Sequence, residues 1–328
     1  MPLRIRSLKE QILRFDNFQE AFLRASRGKN AERKVVLFRE DLNDNLHQII
    51  SELDNGTFRF GNYHFFTIYD PKKRVICAAD FTERVVFHAI MRICHPYFER
   101  HQVYDSYASR IGKGTYAALD RARHFARKYQ YFAKLDIRKY FDSIHHEILF
   151  KMLRKMFQDV FLLKCFRSII DSYNASPGKG VPIGNLTSQY FANHYLTFAD
   201  RFLLENQKAH AIVRYMDDTL VFSNDKEQLL SIVRAYENFV NETLDLQMHT
   251  PVINRTCYGA PFLGYVVYGD RLRLNQRSRH RYRVKTAALH EAYAQSLIPE
   301  RDYLMRLQAL DAFLEKADAY NFRRSLDV

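Results

Sequence analysis

The sequence has no long apolar run and no motif built from cysteines. No stretch approaches the ~18 consecutive apolar residues of a membrane-spanning helix, and the opening MPLRIRSLKE is charged with no apolar segment behind it. We therefore expect no signal peptide, no membrane partner and a cytoplasmic location. The cysteines are isolated and form no Cys-x-x-Cys pair: Cys77, Cys94, Cys165 and Cys257. Their spacing argues against a zinc site or a disulfide framework and favours buried free thiols.

Glycine and proline are also scarce, at 11 and 8 of 328 residues, and 47% of the residues are hydrophobic, so most of the chain should fold. Positive charge and aromatic rings are abundant instead: the net charge is +13, and there are 26 Phe and 21 Tyr residues. Because Arg and Lys neutralise phosphates and aromatic rings stack on bases, this composition suggests a nucleic-acid partner. A charge surplus also occurs in proteins that bind nothing specific.

The spacing of apolar residues predicts helices and short strands. Helical periodicity covers residues 1–55, 81–98 with an end near Pro96, the segment after Gly114, about 145–166, 191–206, 226–243 and the C-terminal residues after a basic stretch. Strands are expected in a hairpin over 58–78 with a basic tip, and over 131–136, 211–215, 219–222 and 261–268. A domain boundary is only weakly marked, near Asp270.

Two adjacent aspartates stand in the turn YMDD (215–218), between two short apolar strands. Aspartate is common in turns, so a plain polar β-turn is the alternative interpretation. Neighbouring carboxylates repel each other, however, and a bound divalent cation removes that cost. Asp136 ends the apolar strand 131–136, and a strand-tip Asp beside an Asp-Asp hairpin suits two metal ions for in-line phosphoryl transfer. We therefore predict Asp136, Asp217 and Asp218 as catalytic residues that bind two Mg²⁺ ions, with Mn²⁺ able to substitute.

With these residues in place, the sequence resembles the palm of reverse transcriptases over nearly its whole length. The resemblance runs in order through PKKRVICAADFTERVVFHAI, SYASRIGKGTYAAL, KLDIRKYFDSIHH, GVPIGNLTSQYFANHYLTFAD, RYMDD and FLGY. It implies an α+β, right-hand polymerase fold with fingers, a palm of antiparallel sheet plus helices, and a short helical thumb. Residues 1–70 would form an N-terminal helical extension and the start of the fingers, 71–269 the fingers and palm, and 270–328 the basic thumb. The implied enzyme is an RNA-directed DNA polymerase (a nucleotidyltransferase) that uses dNTPs and binds template RNA and the RNA–cDNA duplex.

The resemblance also implies roles for single residues. An Asp followed five residues later by an aromatic residue maps onto Asp136 and Phe141. Phe141 would then exclude the 2′-hydroxyl of ribonucleotides, and an ordinary core Phe is the alternative. The backbone carbonyl of Ile137 would be a further metal ligand. Arg74 would grip the incoming triphosphate, because Arg bonds phosphate oxygens in pairs.

Other basic residues belong to the same implied substrate site. Lys72, close to Arg74, would help to bind the triphosphate, although a solvated hairpin tip explains it equally simply. Arg110 would contact the template or help to shape the nucleotide site. The basic run 271–285 would either grip the duplex backbone or form a solvated helix face, and neither interpretation is favoured.

One loop indicates the kind of reverse transcriptase. It contains PIG at 182–184 and SQ at 188–189, where group II intron, retron and retroviral enzymes generally have Pro-Gln-Gly and Ser-Pro. This version looks like the enzymes of diversity-generating retroelements, which copy a template-repeat RNA with errors at adenines (mutagenic retrohoming), and it places Ile183, Gly184 and Gln189 at the substrate. Since Ile183 can only pack where a Gln would form hydrogen bonds, geometric discrimination should weaken. A plain core role for Ile183 is the alternative.

That resemblance implies a bacterial, archaeal or phage-encoded enzyme with a basic, oligomeric accessory variability protein as partner. Two other functions stay open: a retron- or group II intron-like reverse transcriptase, and a catalytically inactive RNA-binding scaffold. The lack of a Gln before Gly184 argues against the first. The joint presence of Asp136, Asp217, Asp218 and Phe141 argues against the second.

Overall fold

A computed structural model of the chain describes residues 5, 7–69, 73–319 and 322. The chain divides into two compact units, each assembled from separated stretches. The first unit comprises Met1–Val103, Arg138–Ala199 and Phe239–Gln247, and the second comprises Tyr104–Ile137, Asp200–Asn238 and Met248–Val328. Among the helices of the described residues, none combines the length and apolar character needed to cross a bilayer.

The first unit is mainly helical, and the helices predicted within residues 1–55 are confirmed for the described part. Asn17, which is buried, donates from Nδ2 to the carbonyl oxygens of Ile12 and Ala89 at 2.8 and 3.1 Å and so ties three helices together. The helices are α1 (Lys9–Ile12), α2 (Phe15–Ser26), α3 (Arg33–Glu40), α4 (Leu42–Asp54), α5 (Phe81–His101), the later α7 (Tyr140–Ser143), α8 (His146–Met156) and α9 (Val160–Asp171), and most of α10 (Leu186–Arg201).

A two-stranded antiparallel hairpin of β1 (Tyr63–Ile68) and β2 (Arg74–Ala79) confirms the predicted hairpin. Arg74 is the first residue of β2, and the tip at 70–72 lies outside the described residues. The buried Glu83 carboxylate of α5 accepts hydrogen bonds from the backbone N–H groups of the two residues that precede β1, at 3.0 and 2.6 Å. These bonds attach the start of the hairpin to α5.

Helix α5 does not stop near Pro96, as the sequence suggested, but continues to His101. A proline inside a helix removes one backbone hydrogen bond. Here the last turn carries Phe98, which is buried and packs against Phe157 and Phe166 at ring distances of 5.4 and 6.4 Å. Tertiary packing of this aromatic cluster therefore outweighs the local signal from the proline.

The single helix expected over about 145–166 is in fact two helices, α8 and α9. Asp159 separates them, because its Oδ1 accepts the N–H of Leu162 at 2.9 Å as the N-cap of α9. Its Oδ2 accepts the N–H of Leu8 at 2.6 Å. An aspartate that satisfies the first turn of a helix starts a new helix, and the contact with Leu8 lies beyond the reach of local periodicity.

The second unit contains an antiparallel sheet in the order β4-β5-β3-β6. Its strands are β3 (Tyr131–Leu135), β4 (Ala211–Tyr215), β5 (Asp218–Ser223) and β6 (Val252–Arg255). The first three confirm the predicted strands, whereas β6 was not predicted. Helix α6 (Thr115–Lys128) packs on this sheet through Leu119 and Phe125, which share a core with Phe132 and Phe222. A π-helical turn (Phe202–Asn206) follows α10, and α11 (Lys226–Glu242) follows β5.

A three-stranded antiparallel sheet and two helices complete the second unit. These are β7 (Ala260–Phe262), β8 (Tyr265–Val267), β9 (Leu272–Leu274), α12 (Gln276–Ala294) and α13 (Glu300–Glu315). Strand β9 lies in the basic stretch and was not predicted; its two leucines are buried around the exposed Arg273. It pairs with β8 across position 270. The division into 1–70, 71–269 and 270–328 stays a prediction.

All four cysteines are free thiols, as expected. Cys77, Cys94 and Cys165 are buried, but Cys257 is exposed, so the prediction of buried thiols is wrong for that residue. Cys257 lies in a short 3₁₀ turn, Thr256–Tyr258, next to the edge strand β6.

Candidate active site

The first predicted carboxylate, Asp136, lies one residue beyond β3. Leu135, the last residue of β3, pairs with Thr219 of β5. Because register is constant along a strand pair, the next step along both chains sets Asp136 beside Asp218. On the other side of β3, which pairs with β6, the backbone N–H of His249 donates to the carbonyl oxygen of Asp136 at 2.9 Å. This bond continues the pairing on that side past the end of β3.

The other two carboxylates belong to the hairpin that joins β4 to β5. Tyr215 pairs with Asp218, so the turn itself consists of Met216 and Asp217. Met216 has φ 54°, in the left-handed region that costs a non-glycine residue on the order of 1–2 kcal/mol. Such a conformation persists only where the surrounding structure supports it. The pairing thus brings Asp136, Asp217 and Asp218 to one end of a single sheet.

Burial and charge act together on Asp218, whose side chain is 20% exposed. Burial raises the pKa of this carboxyl to about 6; the carboxylates of Asp136 and Asp217 add to the shift, and Lys134 opposes it. The Nζ atom of Lys134 lies 3.3 Å from Oδ2 of Asp218. Since Lys134 stands two residues before Asp136, the two side chains leave the same face of the sheet. One ammonium group therefore partly balances the acidic cluster.

The donor chemistry at this end of the sheet fits a divalent metal ion. Oδ1 of Asp218 is buried and has no hydrogen-bond partner among the described residues. Magnesium prefers hard oxygen ligands and would satisfy that atom while relieving the repulsion between carboxylates. As the side chains stand, the described part of the chain holds no group of three or more His, Cys, Asp or Glu side chains at metal-ligand spacing.

Two further predicted residues belong to the same unit. Ile137 is buried and forms an isolated β-bridge with Met248. The hydrogen bonds of this bridge are made by the residues on either side of Ile137 and Met248. The backbone carbonyl of Ile137 therefore takes no part in these bonds. Arg110 is half-buried and donates from Nη1 to the carbonyl oxygen of Ser106 at 2.8 Å. Burial raises the pKa of Asp200, and the charges of Arg214 and Arg110 oppose that shift.

A buried ion pair that the predicted site did not include lies next to the turn. Arg214 of β4 and Asp200 of α10 are 0% and 1% exposed, with Nη2 2.7 Å from Oδ2. Nη1 of Arg214 also donates to the carbonyl oxygen of Met216 at 3.0 Å. The signal in the sequence was an arginine inside the otherwise apolar strand AIVRY, because a buried charge needs a partner. Lys134 was visible in a similar way, as a charge two residues before Asp136.

In the first unit, the loop that carries Ile183 and Gly184 packs on β2. The backbone N–H of Cys77 donates to the carbonyl oxygen of Ile183 at 2.8 Å. Gly184 has φ +120°, and a Cβ atom there would lie 2.9 Å from Cγ2 of Ile76 and 3.1 Å from the carbonyl oxygen of Cys77. Only glycine fits this conformation and this close approach. Ile183 itself is half-buried.

Gly184 and Gln189 line a cavity of about 370 Å³ within the first unit. Apolar walls come from Phe66, Ile76 and Phe87, and polar groups come from Arg84, His88 and Asn185. The Oδ1 atom of Asn185 accepts the N–H of Ala79 at 3.2 Å, and its Nδ2 is buried without a partner among the described residues. The cavity is therefore lined by both apolar and polar side chains.

The remaining predicted substrate residues also belong to the first unit. Arg74 is exposed at the start of β2, and Lys72 lies outside the described residues. Phe141, in α7, is half-buried. Its carbonyl oxygen accepts the N–H of Val181 at 2.9 Å, and its ring meets that of Tyr140 edge to face at 5.7 Å.

Residues 70–266 match the family described as "Reverse transcriptase (RNA-dependent DNA polymerase)", a span that includes all three carboxylates. A relative in Saccharomyces cerevisiae, the putative COX1/OXI3 intron 1 protein, is 25% identical over 167 residues. That match covers 48% of this chain and 20% of the yeast protein.

Solved structures show the same fold. Apo telomerase from Candida tropicalis gives a TM-score of 0.52 at 12% identity, covering 72% of this chain and 54% of that one. Telomerase from Candida albicans in complex with the TWJ fragment of telomeric RNA gives 0.51 at 13% identity, covering 71% and 52%. The chain thus spans about half the length of these structures and a fifth of the yeast protein. The predicted α+β, right-hand polymerase fold is confirmed. Because the family match extends over more than half of the chain, this protein belongs to the reverse transcriptase (RNA-dependent DNA polymerase) family.

Proposed function

We propose that the chain acts as an RNA-directed DNA polymerase that adds dNTPs to a primer by nucleotidyl transfer. The convergence of Asp136, Asp217 and Asp218 at one end of a sheet, within the span that matches the family, carries this proposal. The carboxylates of Asp136 and Asp217 make the ionisation of Asp218 more costly. Their placement is explained by a task that needs concentrated negative charge.

Two Mg²⁺ ions are the proposed cofactor, with Mn²⁺ able to substitute. When bound, such ions lower the pKa of the primer 3′-hydroxyl and stabilise the leaving pyrophosphate. The chain would hold them through the carboxylates of Asp136, Asp217 and Asp218 and the backbone carbonyl of Ile137. Without metal, the ammonium group of Lys134 lessens the repulsion at Asp218.

The incoming dNTP is proposed to contact side chains of the first unit. Arg74 and Lys72 would bind the triphosphate, and Phe141 would exclude a ribose 2′-hydroxyl. Gln189 would contact the nucleotide from the loop behind β2. Arg110 of the second unit would contact the template or help to shape the nucleotide site. The exposure of Arg74 and the partial exposure of Phe141 support these roles, because both side chains can reach a ligand.

Template RNA and the RNA–cDNA duplex are the proposed macromolecular partners. The net charge of +13 supports this, as do exposed arginines along α12 such as Arg277, Arg279 and Arg283. Phosphate neutralisation by such residues supplies most of the sequence-independent affinity for nucleic acid. The fold also occurs in a telomerase solved with a fragment of telomeric RNA.

We further propose that this polymerase makes adenine-mutagenised cDNA from a template-repeat RNA in a diversity-generating retroelement. The loop with Ile183, Gly184 and Gln189 supports this, because the half-buried Ile183 offers only packing where a glutamine would offer hydrogen bonds. A basic, oligomeric accessory variability protein would be the protein partner, and the site of action the cytoplasm of a bacterial or archaeal cell, including phage hosts.

A second candidate is a group II intron-like reverse transcriptase, which the match to an intron protein of yeast favours. Retron enzymes belong to the same alternative. An inactive RNA-binding scaffold would have no need for carboxylates that repel each other beside a buried, unpaired oxygen of Asp218. Primer extension and error spectra separate these candidates.

Replacing either turn carboxylate should abolish polymerisation. Asp217→Asn and Asp218→Asn each remove a proposed metal ligand, so primer extension on an RNA template should fall by ~10²–10³-fold. Asp270→Asn, at a carboxylate whose side chain is 68% exposed, is the matched control and should extend primers normally. Extension by either turn variant at the wild-type rate would refute the catalytic assignment.

When a chelator keeps metal ions away, Asp218 should make the stability of the folded chain depend on pH. The pKa of its carboxyl is raised from 3.8 to about 6 in the folded chain, so the stability present below about pH 4 is lost as the pH rises through 6. Asp218→Asn removes this loss. Its melting temperature should exceed that of the wild type by a margin that grows from about pH 4 to about pH 6 and levels off at higher pH, and Mg²⁺ should stabilise only the wild type. A difference that stays constant with pH would show that Asp218 does not titrate as stated.

Phe141→Ala should allow the enzyme to incorporate ribonucleotides, because a smaller side chain leaves room for the 2′-hydroxyl. The measurement is the ratio of kcat/KM for a dNTP and the matching rNTP. Phe161→Ala, which truncates another half-buried phenylalanine of the same unit, should leave the ratio unchanged. If Phe141→Ala still excludes ribonucleotides, the gate lies elsewhere.

Ile183→Gln should lower misincorporation opposite template adenines, because it restores a side chain that can form hydrogen bonds. Sequencing of cDNA made on a defined RNA template measures this. Ile183→Leu keeps an apolar side chain and should retain the error spectrum of the wild type. Equal adenine error rates in all three proteins would remove Ile183 from the account of fidelity.

A further inference from the structure

Arg214 occupies an unusual position for a charged residue. It lies in β4, between the buried Val213 and the half-buried Tyr215, and is itself 0% exposed. Its backbone is held on the outer edge of the sheet, where its N–H donates to the carbonyl oxygen of Asp105 and its carbonyl oxygen accepts the N–H of Tyr107, both at 2.9 Å. These two hydrogen bonds therefore fix the backbone that carries the Arg214 side chain, just ahead of the turn.

The guanidinium group of Arg214 contacts both Asp200 and the turn. Nε lies 2.7 and 2.8 Å from the two carboxylate oxygens of Asp200, and Nη2 lies 2.7 Å from Oδ2. Nη1 donates to the carbonyl oxygen of Met216 at 3.0 Å. Asp200 thus fixes the orientation of the guanidinium plane. Through Nη1, the guanidinium in turn holds the peptide between Met216 and Asp217.

That peptide needs support from elsewhere. Met216 has φ 54°, and a strained residue of this kind relaxes unless its surroundings hold it. The Met216 carbonyl belongs to the peptide whose nitrogen is that of Asp217, so the orientation of this peptide sets where the Asp217 carboxylate points. A rotation of the peptide would move a proposed metal ligand directly.

A buried ion pair is a poor choice if stability alone is required. Removing two charges from water costs more than their attraction usually returns, and apolar side chains of similar volume often stabilise a core better. An apolar side chain at position 214 could fill the space but could not donate to the carbonyl oxygen of Met216. The pair of Arg214 and Asp200 is therefore better explained by the hydrogen bond to the Met216 carbonyl than by a contribution to the stability of the core.

We propose that Arg214, oriented by Asp200, is a positioning residue that fixes the Met216–Asp217 peptide and thereby aims the carboxylate of Asp217. The inference rests on the proposed function, since it takes Asp217 as a metal ligand. Arg214 acts through the turn, and the buried pair keeps it neutral overall towards the acidic cluster.

The decisive experiment compares single and paired replacements. Arg214→Met and Asp200→Val each leave one buried charge without its partner, so each should lower the melting temperature. The double variant removes both charges and should recover the melting temperature. Its kcat for primer extension should nevertheless stay about 10- to 100-fold below wild type, as for other residues that orient metal ligands, while KM for the dNTP stays unchanged. A double variant with recovered stability and wild-type kcat would overturn the proposal.

Arg214→Lys provides a second variant that keeps the charge and the pairing with Asp200. A lysine cannot bond Asp200 in a fork and Met216 at the same time, so we expect near-normal stability with a kcat reduced about 10-fold or more. Wild-type kcat in this variant would also overturn the proposal, and it does so even if the double variant fails to fold.

A binding measurement separates this inference from the proposed function. The rise in melting temperature on titration with Mg²⁺, without primer or dNTP, should require a higher metal concentration in Arg214→Lys than in the wild type. If the wild type extends no primer, the polymerase assignment fails, and the metal titration still tests the positioning role. Identical titration curves for the two proteins would refute the positioning of Asp217.

Discussion

Asp136, Asp217 and Asp218 bring like charges to one end of a single antiparallel sheet, where burial and both neighbours raise the pKa of Asp218 to about 6. This arrangement disfavours the ionised form of Asp218. The register of β3 with β5 brings Asp136 beside Asp218. Lys134 supplies a compensating ammonium at 3.3 Å, and the turn accepts a strained Met216. The divalent cations proposed above would relieve this repulsion between carboxylates.

The first unit meets a different requirement, which is close approach of backbone to backbone. Gly184 adopts φ +120° where a Cβ would collide with Ile76 and with the carbonyl of Cys77. The hydrogen bond from Cys77 to Ile183 fixes the loop on β2, so a residue proposed to influence fidelity is held by the strand that begins with Arg74. Loop and strand therefore form one packed surface.

Local patterns located most helices and strands but missed features that depend on distant contacts. Periodicity found β3, β4 and β5 because their apolar residues are nearly continuous. It ended α5 near Pro96 because it could not register the packing of Phe98 on Phe157 and Phe166. It merged α8 and α9 because the caps at Asp159 involve an N–H from Leu8, far away in sequence. Strand β9 was hidden by arginines around its two buried leucines.

For the candidate site, the sequence by itself determined the set of motifs, in an order that resembles reverse transcriptases and that predicts a polymerase site at Asp136, Asp217 and Asp218. Only the tertiary structure decided which groups surround the carboxylates. Lys134 and the pair of Arg214 with Asp200 were present as isolated charges in apolar strands and helices, without a sign of their partners. The physical reason is that a motif records which side chains chemistry requires, whereas the partner of a buried charge is chosen by register and packing, which bring together residues that the sequence keeps apart.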